Sequence, residues 1–170
     1  MQLDVTPPPS ILLSLPDGVA GVRATLKIMS ALVKSGKKNP YVRAKALALT
    51  QGLKQKDKLG EIHALWNFVK NNIRYVRDIN GVETIHTPEQ ILRQESGDCD
   101  DKSLLLASLL ESIGHPSAFW AIGTKSPNRF SHVMAMTRIG SKRWLPLETT
   151  ENVPFLWRPP VVRASMIHYN

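Results

Sequence analysis

The sequence predicts an α+β fold, with helices in the first two thirds of the chain and strands in the last third. Before about residue 113, apolar side chains recur every three or four residues, which is the helical period. After Pro116, short runs of β-branched and aromatic residues are separated by Gly, Ser, Pro and Asn, as in antiparallel strands joined by turns. Helices followed by strands indicate α+β rather than alternating α/β. With 170 residues, the chain can form one domain with its own core.

The elements before the only cysteine are a proline-rich arm and a series of helices. Residues 1–16 contain four prolines and are predicted to be extended, because proline has no backbone N–H to donate. Asp17 can cap the next helix, and Pro40 suits the first position of another. Three helices are predicted here, at residues 17–36, 40 to about 53, and 56 to about 72. The third fades into IRYVRDI, where a strand or extended turn begins.

The later elements are two more helices and a set of strands. Thr87 with Pro88 opens a short helix that breaks at Ser96-Gly97. The helix headed by Cys99 runs to Ile113, and the following glycine and proline end it. Strands are predicted in four runs: SAFWAIG, FSHVMAMTRI, RWLPLETT and, in the tail, VVRASMI.

Composition divides the chain into segments of different character. We expect a proline-rich arm at residues 1–16, a basic helical leader at 17–55, a core at 56–153 and a proline-rich C-terminal tail at 154–170. The net charge is +8, and residues 1–60 hold ten Lys/Arg against three Asp/Glu, a balance of +7. A basic leader fits contact with an acidic surface or nucleic acid, and it equally fits a solvated helical face.

Cys99 lies in the stretch GDCDD at the start of the leucine-rich helix. The N–H groups at a helix N-terminus carry partial positive charge, which favours a thiolate and can hold an oxyanion. A nucleophilic Cys99 would therefore have a lowered thiol pKa. The alternative is a buried, inert cysteine, because free cysteines are among the most buried residues.

A nucleophilic cysteine needs a base, and His132 is the best placed of five histidines because it lies on a predicted strand. Glu148 ends the next predicted strand, and antiparallel neighbours bring such residues side by side. A carboxylate there can accept the imidazole N–H and fix its tautomer. Taken singly, the histidine fits a packed strand residue and the acid a surface residue. The other histidines lie in a helix, before a helix cap, in a turn and near the C-terminus: His63, His86, His115 and His168.

Cysteine, histidine and acid in this order, within GDCDD, SHVMA and WLPLETT, resemble the transglutaminase-like cysteine enzymes. The resemblance extends from about Ile62 to Thr150 and is strongest to small bacterial and phage-encoded members. It implies a papain-like transglutaminase core at residues 56–153. In that core a central helix carries the cysteine, and the histidine and acid lie on adjacent strands of a small antiparallel sheet.

The resemblance also implies the role of each site residue. Cys99 corresponds to the nucleophile, His132 to the general base and Glu148 to the orienting acid. The family more often has aspartate at the last position, so glutamate adds one methylene and reaches farther. The backbone N–H of Cys99 is one expected oxyanion donor, with Gln94 or Trp66 as candidates for the second.

The acids around Cys99 are assigned to the helix end rather than to the sulfur. Asp98 is expected to cap the helix, while helical geometry turns Asp100 and Asp101 about 100° and 200° away from Cys99. Calcium is not expected, because D-C-D-D-K lacks the calcium-loop pattern. Zinc bound by the cysteine, histidine and glutamate is the alternative, but close ligand pairs such as C-x-x-C are absent. We therefore expect no metal and no other cofactor.

Two classes of function fit these observations. The first is a cysteine hydrolase or acyltransferase that acts on protein or peptide amides through a Cys–His–Glu triad and a thioester intermediate. The second is a non-enzymatic structural or interaction protein, such as a phage virion component, that uses the papain-like core as a scaffold. A helical DNA-binding domain would explain residues 17–55 only.

Expected partners and location follow from the same features. The partners are a protein or peptide substrate, a larger virion assembly contacted through the arm and basic helices, and nucleic acid contacted non-specifically. The N-terminus lacks the basic start of a signal peptide, and no apolar run approaches the ~18 residues of a membrane span. We expect a cytoplasmic or virion-associated protein without a membrane partner.

Overall fold

The computed structural model describes residues 11–13, 17–78 and 83–170. These residues contain five helices: α1 (Gly18–Gly36), α2 (Pro40–Thr50), α3 (Lys58–Asn72), α4 (Pro88–Gln94) and α5 (Cys99–Ser112). They also contain eight strands: β1 (Ile11–Leu13), β2 (Arg74–Tyr75), β3 (Glu83–Ile85), β4 (Ser96–Gly97), β5 (Ser117–Gly123), β6 (His132–Thr137), β7 (Leu145–Leu147) and β8 (Ala164–Tyr169). The predicted α+β class is confirmed, because the main sheet follows the helices in the chain.

Side-chain capping sets most helix starts. The Asn39 carboxamide accepts hydrogen bonds from the first turn of α2, Asp57 does so at α3, and Thr87 does so at α4. Asp17 occupies the predicted N-cap position of α1, but its side chain makes no capping hydrogen bond. Short polar caps therefore mark three of these four boundaries, as expected from their preference for N-cap positions.

The second helix is shorter than predicted. It ends at Thr50 rather than near Leu53, because Gln51 is extended and Gly52 has a φ of +86°. This left-handed conformation suits glycine, and it turns the chain out of the helix before the apolar Leu53.

The main sheet is antiparallel and has the strand order β7-β6-β5-β8. β5 lies at its centre, pairing with β6 in the register Phe119↔Ala135 and with β8 in the register Phe119↔His168. The three strands predicted between residues 117 and 150 all form. The tail strand also forms, but it begins at Ala164 rather than Val161 because residues 161 and 162 are not paired.

Two short strand pairs are not foreseen by the sequence. Ile11–Leu13, within the arm predicted to be extended, forms an antiparallel pair with Glu83–Ile85. The other arm residues, 1–10 and 14–16, lie outside the described residues. Arg74–Tyr75 pairs in parallel with Ser96–Gly97, which brings the end of α3 beside the lead-in to Cys99.

The cysteine helix α5 is the centre of the hydrophobic core. Every residue from Asp101 to Leu110 is buried, as expected for a helix enclosed by protein on all sides. The four other helices contact it, and strands β5 and β6 cover another side. At its C-terminal end, Lys37 forms an ion pair with Glu111 at 2.9 Å, and Arg43 donates to the carbonyl of Ser112. Helices α1 and α2 therefore share one core with α5.

Within the described ranges, none of the helices combines the length and the apolar character that crossing a membrane requires.

Candidate active site

Cys99 is the first residue of α5, and Asp98 caps the helix as predicted. The Asp98 carboxylate accepts a hydrogen bond from the backbone N–H of Asp101 at 3.0 Å. Gly97 permits this compact turn, because a Cβ at position 97 would lie 2.5 Å from the Cβ of Asp101. The turn presents Cys99 at a helix N-terminus, where backbone N–H groups lack intrahelical acceptors.

His132 and Glu148 lie beside each other on neighbouring strands. His132 begins β6, and Glu148 directly follows β7, whose register pairs Leu147 with Ala135. The Nε2 of His132 and the Oε2 of Glu148 are 2.5 Å apart. With Nε2 bonded to the carboxylate, Nδ1 is the ring nitrogen left for another proton transfer.

The Glu148 carboxylate is buried, with 1% of its side chain exposed, and both of its oxygens accept hydrogen bonds. Its Oε1 accepts from the backbone N–H of Thr150 at 2.6 Å, the Thr150 hydroxyl at 2.8 Å and the backbone N–H of Glu151 at 3.2 Å. Burial alone would raise the pKa of Glu148, but the hydrogen bonds and charge of His132, with the Thr150 bonds, lower it to about 2. One carboxylate therefore bonds to both this loop and the imidazole.

Trp66 fixes the same loop from α3. Its indole Nε1 donates to the backbone carbonyl of Glu148 at 2.5 Å. One turn later, Lys70 donates to the carbonyls of Glu151 and Val153 at 2.6 and 2.8 Å. Because its only N–H is used by Glu148, Trp66 is not an oxyanion donor, and that prediction is wrong.

Gln94 forms a local contact at the end of α4. The side chain is exposed, and its Nε2 donates to the carbonyl of Ser96 at 2.8 Å. This contact closes the turn between α4 and the cysteine helix. One of the two N–H groups of the carboxamide is used in this way, and Gln94 as an oxyanion donor stays a prediction.

The sulfur of Cys99 is packed against the start of β6. The backbone N–H of Val133, the residue after His132, hydrogen-bonds to the thiol and favours its ionised form. Burial, followed by the charges of Asp100 and Asp98, has the opposite and larger effect, so the pKa of the Cys99 thiol is raised well above its usual value. The expected lowering of that pKa is wrong, because packing against β6 removes the water that would solvate a thiolate.

The two acids after Cys99 point in different directions. The Cys99 thiol donates to Oδ1 of Asp100 at 3.6 Å, so the prediction that Asp100 faces away from the sulfur is wrong. Helical spacing fixes the direction of the Cβ atom, and the side-chain rotamer then brings the carboxylate back to the sulfur. Asp101 does face away: its carboxylate accepts from the backbone N–H of His86 at 3.1 Å and lies 2.8 Å from His86 Nδ1.

Lys102 is a buried residue near the site that the sequence does not single out. Its ammonium group donates to the carbonyls of Ile73 at 2.8 Å and Lys70 at 3.3 Å, at the C-terminal end of α3. Burial lowers the pKa of Lys102 to about 8, although the Glu148 charge opposes this. A lysine within a leucine-rich helix is the available sequence signal, but it does not reveal which carbonyls the side chain reaches.

Three of the other histidines lie outside β6 and have different neighbours. His63 packs against the rings of Trp66 and Phe155, and His115 lies 2.7 Å from Glu61. His168 lies on β8, at the far edge of the sheet from β7. Among the described residues, no group of three or more His, Cys, Asp or Glu side chains is arranged to hold a metal ion.

Comparisons with known proteins agree with this architecture. Two solved structures share the fold at 16% identity: a candidate protease from Parabacteroides distasonis, with a TM-score of 0.57, and a candidate cysteine protease from Cytophaga hutchinsonii, with a TM-score of 0.52. Each match covers 74% of this chain, which spans 26% of the first protein and 42% of the second. No curated protein matches the chain.

A sequence profile gives the family directly. The profile of the transglutaminase-like superfamily matches residues 33–149, more than two thirds of the 170 residues. The match includes the cysteine helix and strands β5 to β7, and the predicted papain-like fold is confirmed by the structural neighbours. The chain belongs to the transglutaminase-like superfamily.

Proposed function

We propose that the protein is a cysteine hydrolase or acyltransferase that acts on amide bonds of proteins or peptides. In this proposal Cys99 is the nucleophile, His132 the general base and Glu148 the acid that orients the imidazole. The observation that carries the proposal is the 2.5 Å contact between His132 and a buried, fully hydrogen-bonded Glu148 beside the cysteine helix. An interior carboxylate held this way stabilises the imidazolium that forms during catalysis.

The raised pKa of the Cys99 thiol determines when its proton is transferred to His132. Burial and the neighbouring Asp100 keep the pKa of Cys99 high, so the resting sulfur is protonated. His132 accepts this proton through Nδ1 as the sulfur attacks, while Nε2–H remains bonded to Glu148. The thiol is therefore deprotonated by general base catalysis during the attack. No thiolate–imidazolium pair forms before the substrate reacts.

The first half of the reaction forms a thioester. The sulfur of Cys99 bonds to the amide carbon, and the carbonyl π electrons move to oxygen to give an oxyanion. When the oxyanion collapses, the C–N bond breaks and His132 returns its proton to the leaving amine. The acyl group then remains on the sulfur, and the enzyme carries no additional proton.

The acceptor decides the second half of the reaction. Water attacking the thioester gives a carboxylic acid, whereas an amine gives a new amide. The two structural neighbours are described as candidate proteases, which favours hydrolysis. Partition between water and added hydroxylamine, measured as acid against hydroxamate product, distinguishes the two outcomes.

Acylation by p-nitrophenyl acetate tests the site. We expect a burst of one equivalent of p-nitrophenolate, with the acetyl group found on Cys99 by mass spectrometry of the digested protein. His132→Ala should slow the burst by about 10²-fold or more, the usual contribution of a general base. His168→Ala is the matched control, because this histidine lies on β8, two strands from β6, and should leave the rate unchanged.

An equal burst in wild type and His132→Ala, or acetyl groups found only on other residues, would contradict the proposal. Absence of acylation in a correctly folded wild type would instead favour the scaffold function.

A further inference from the structure

Attack of Cys99 on a substrate carbonyl forms an oxyanion on the carbonyl oxygen, which calls for hydrogen-bond donors around that oxygen. The backbone N–H of Cys99, at the first position of α5, is suited to be one donor. The two side chains that the sequence suggested for the second donor are engaged elsewhere: Trp66 with the carbonyl of Glu148 and Gln94 with that of Ser96. The second position is therefore open to another group.

Tyr75 is placed beside the lead-in to Cys99 by the short parallel pair β2–β4. The register sets Tyr75 opposite Gly97, two residues before the cysteine. Hydrogen bonds on both sides of this position fix the strand, from Arg74 N–H to the Glu95 carbonyl at 2.8 Å and from Val76 N–H to the Gly97 carbonyl at 3.0 Å. The phenol is therefore carried on a backbone anchored directly to the turn that presents the nucleophile.

The Tyr75 side chain has the exposure and hydrogen-bonding capacity of a group that meets a ligand. It is 48% exposed, although tyrosine is a large and partly apolar side chain. Among residues 11–13, 17–78 and 83–170, none forms a hydrogen bond with its hydroxyl group. A phenolic O–H without a protein acceptor remains able to donate to an oxygen of the substrate.

The groups whose charges act on Tyr75 belong to two segments of the candidate site. Partial burial raises the pKa of Tyr75, and an ionised Cys99, Asp98 and Glu151 raise it further, while Arg77 lowers it. Cys99 and Asp98 belong to the cysteine turn, whereas Glu151 belongs to the loop that holds Glu148. These influences agree with the β2–β4 register, which sets Tyr75 beside the cysteine turn, and the raised pKa keeps the hydroxyl protonated, as a donor needs to be.

We propose that the Tyr75 hydroxyl is the second oxyanion donor of the site, together with the backbone N–H of Cys99. This inference rests on the proposed cysteine acyl-transfer function. As the C–S bond forms and the carbonyl π electrons move to oxygen, the hydroxyl donates to the developing negative charge without transferring its proton. Tyr75 then contacts the reacting atoms and is a catalytic residue.

Two reactions of the Cys99 sulfur distinguish oxyanion donation by Tyr75 from a general change in the reactivity of the thiol. Acylation by p-nitrophenyl acetate passes through an oxyanion and releases p-nitrophenolate. Alkylation by iodoacetamide displaces iodide at a saturated carbon and forms no oxyanion. Tyr75→Phe removes only the hydroxyl, so it should slow acylation by about tenfold or more, since loss of one oxyanion donor costs about 10²–10³-fold in a fully enclosed site. Alkylation should stay within about twofold of wild type, because sulfur reactivity does not depend on the oxyanion donor.

Tyr41→Phe is the matched control, because Tyr41 is similarly exposed at 45% but lies on α2. A Tyr75→Phe acylation rate less than about tenfold below that of Tyr41→Phe would overturn the inference, as would an equal slowing of both reactions. The proposed function is judged separately by His132→Ala. If that variant acylates at the wild-type rate, the function itself fails, whereas a slow His132→Ala beside a fast Tyr75→Phe rejects only the donor.

Discussion

Replacing Glu148 by glutamine removes one buried negative charge while nearly preserving the size of the side chain. The pKa of Glu148 is about 2 in the folded protein, against an ordinary value of 4.5. At about 1.4 kcal/mol per pKa unit, this difference contributes about 3 kcal/mol to the free energy of unfolding at neutral pH. We expect Glu148→Gln to lose most of this contribution at pH 7, because the amide cannot match an ionised acceptor of four hydrogen bonds.

The pH dependence gives the sign of the effect. The folded pKa of Glu148 lies below the unfolded value, so the stabilisation is complete above about pH 5 and is lost as pH falls towards 2. At pH 3 about 1.4 kcal/mol should remain. The difference between wild type and Glu148→Gln should therefore shrink by about half between pH 7 and pH 3.

Urea unfolding at a series of pH values measures this difference. Glu151→Gln is the matched control, because its side chain is exposed and takes no part in holding the imidazole. The reasoning predicts a loss of unfolding free energy in Glu148→Gln that depends on pH. A loss that stays constant from pH 7 to pH 3, or one below about 1 kcal/mol at pH 7, would show that Glu148 is not an ionised, multiply bonded carboxylate.

Three further substitutions test neighbouring contacts. Trp66→Phe should destabilise the protein by about 1–3 kcal/mol in urea unfolding, because the buried Glu148 carbonyl loses its donor; an unchanged midpoint would contradict that bond. Asp100→Asn should lower the pKa of Cys99 and raise its iodoacetamide alkylation rate at pH 7 by about three- to tenfold, since a negative charge beside the sulfur disappears; a slower rate would argue against this placement. The pKa of buried Lys102 is about 8 in the folded protein, against 10.5 ordinarily, so the folded state releases this proton at a lower pH than the unfolded chain does. Between pH 8 and 10.5 the unfolding free energy of wild type should therefore rise by up to about 3 kcal/mol relative to that of Lys102→Met. A pH-independent difference in unfolding free energy would rule out that burial effect.

The sequence was most informative where local chemistry and periodicity act together. Helix starts at Asn39, Asp57 and Thr87 follow from short polar caps that need no tertiary contact to be recognised. His132 and Glu148 could be assigned to adjacent strands because a short turn between two β-like runs dictates antiparallel pairing. The order of these elements indicated the α+β class, and the family came from the resemblance of the GDCDD, SHVMA and WLPLETT motifs.

Features that depend on rotamers or on distant backbone groups could not be predicted. Helical angles place the Cβ of Asp100 away from the sulfur, but the carboxylate returns to it through its rotamer. The raised pKa of the Cys99 thiol depends on packing against β6, which the helix sequence does not contain. The sequence indicates a strand or extended turn at IRYVRDI, but not its pairing with Ser96–Gly97, and it is this β2–β4 pair that carries Tyr75 to the cysteine turn.

The central claim is that Cys99, His132 and Glu148 act together as one catalytic triad. A double-mutant cycle on the rate of acylation by p-nitrophenyl acetate tests this claim most directly. The rates to compare are those of wild type, His132→Ala, Glu148→Gln and the double variant. Because Glu148 acts only through the imidazole, we predict that Glu148→Gln slows the wild type by about 10²-fold or more but leaves the His132→Ala rate unchanged. If Glu148→Gln slows both backgrounds by the same factor, the two residues act independently and the triad is contradicted.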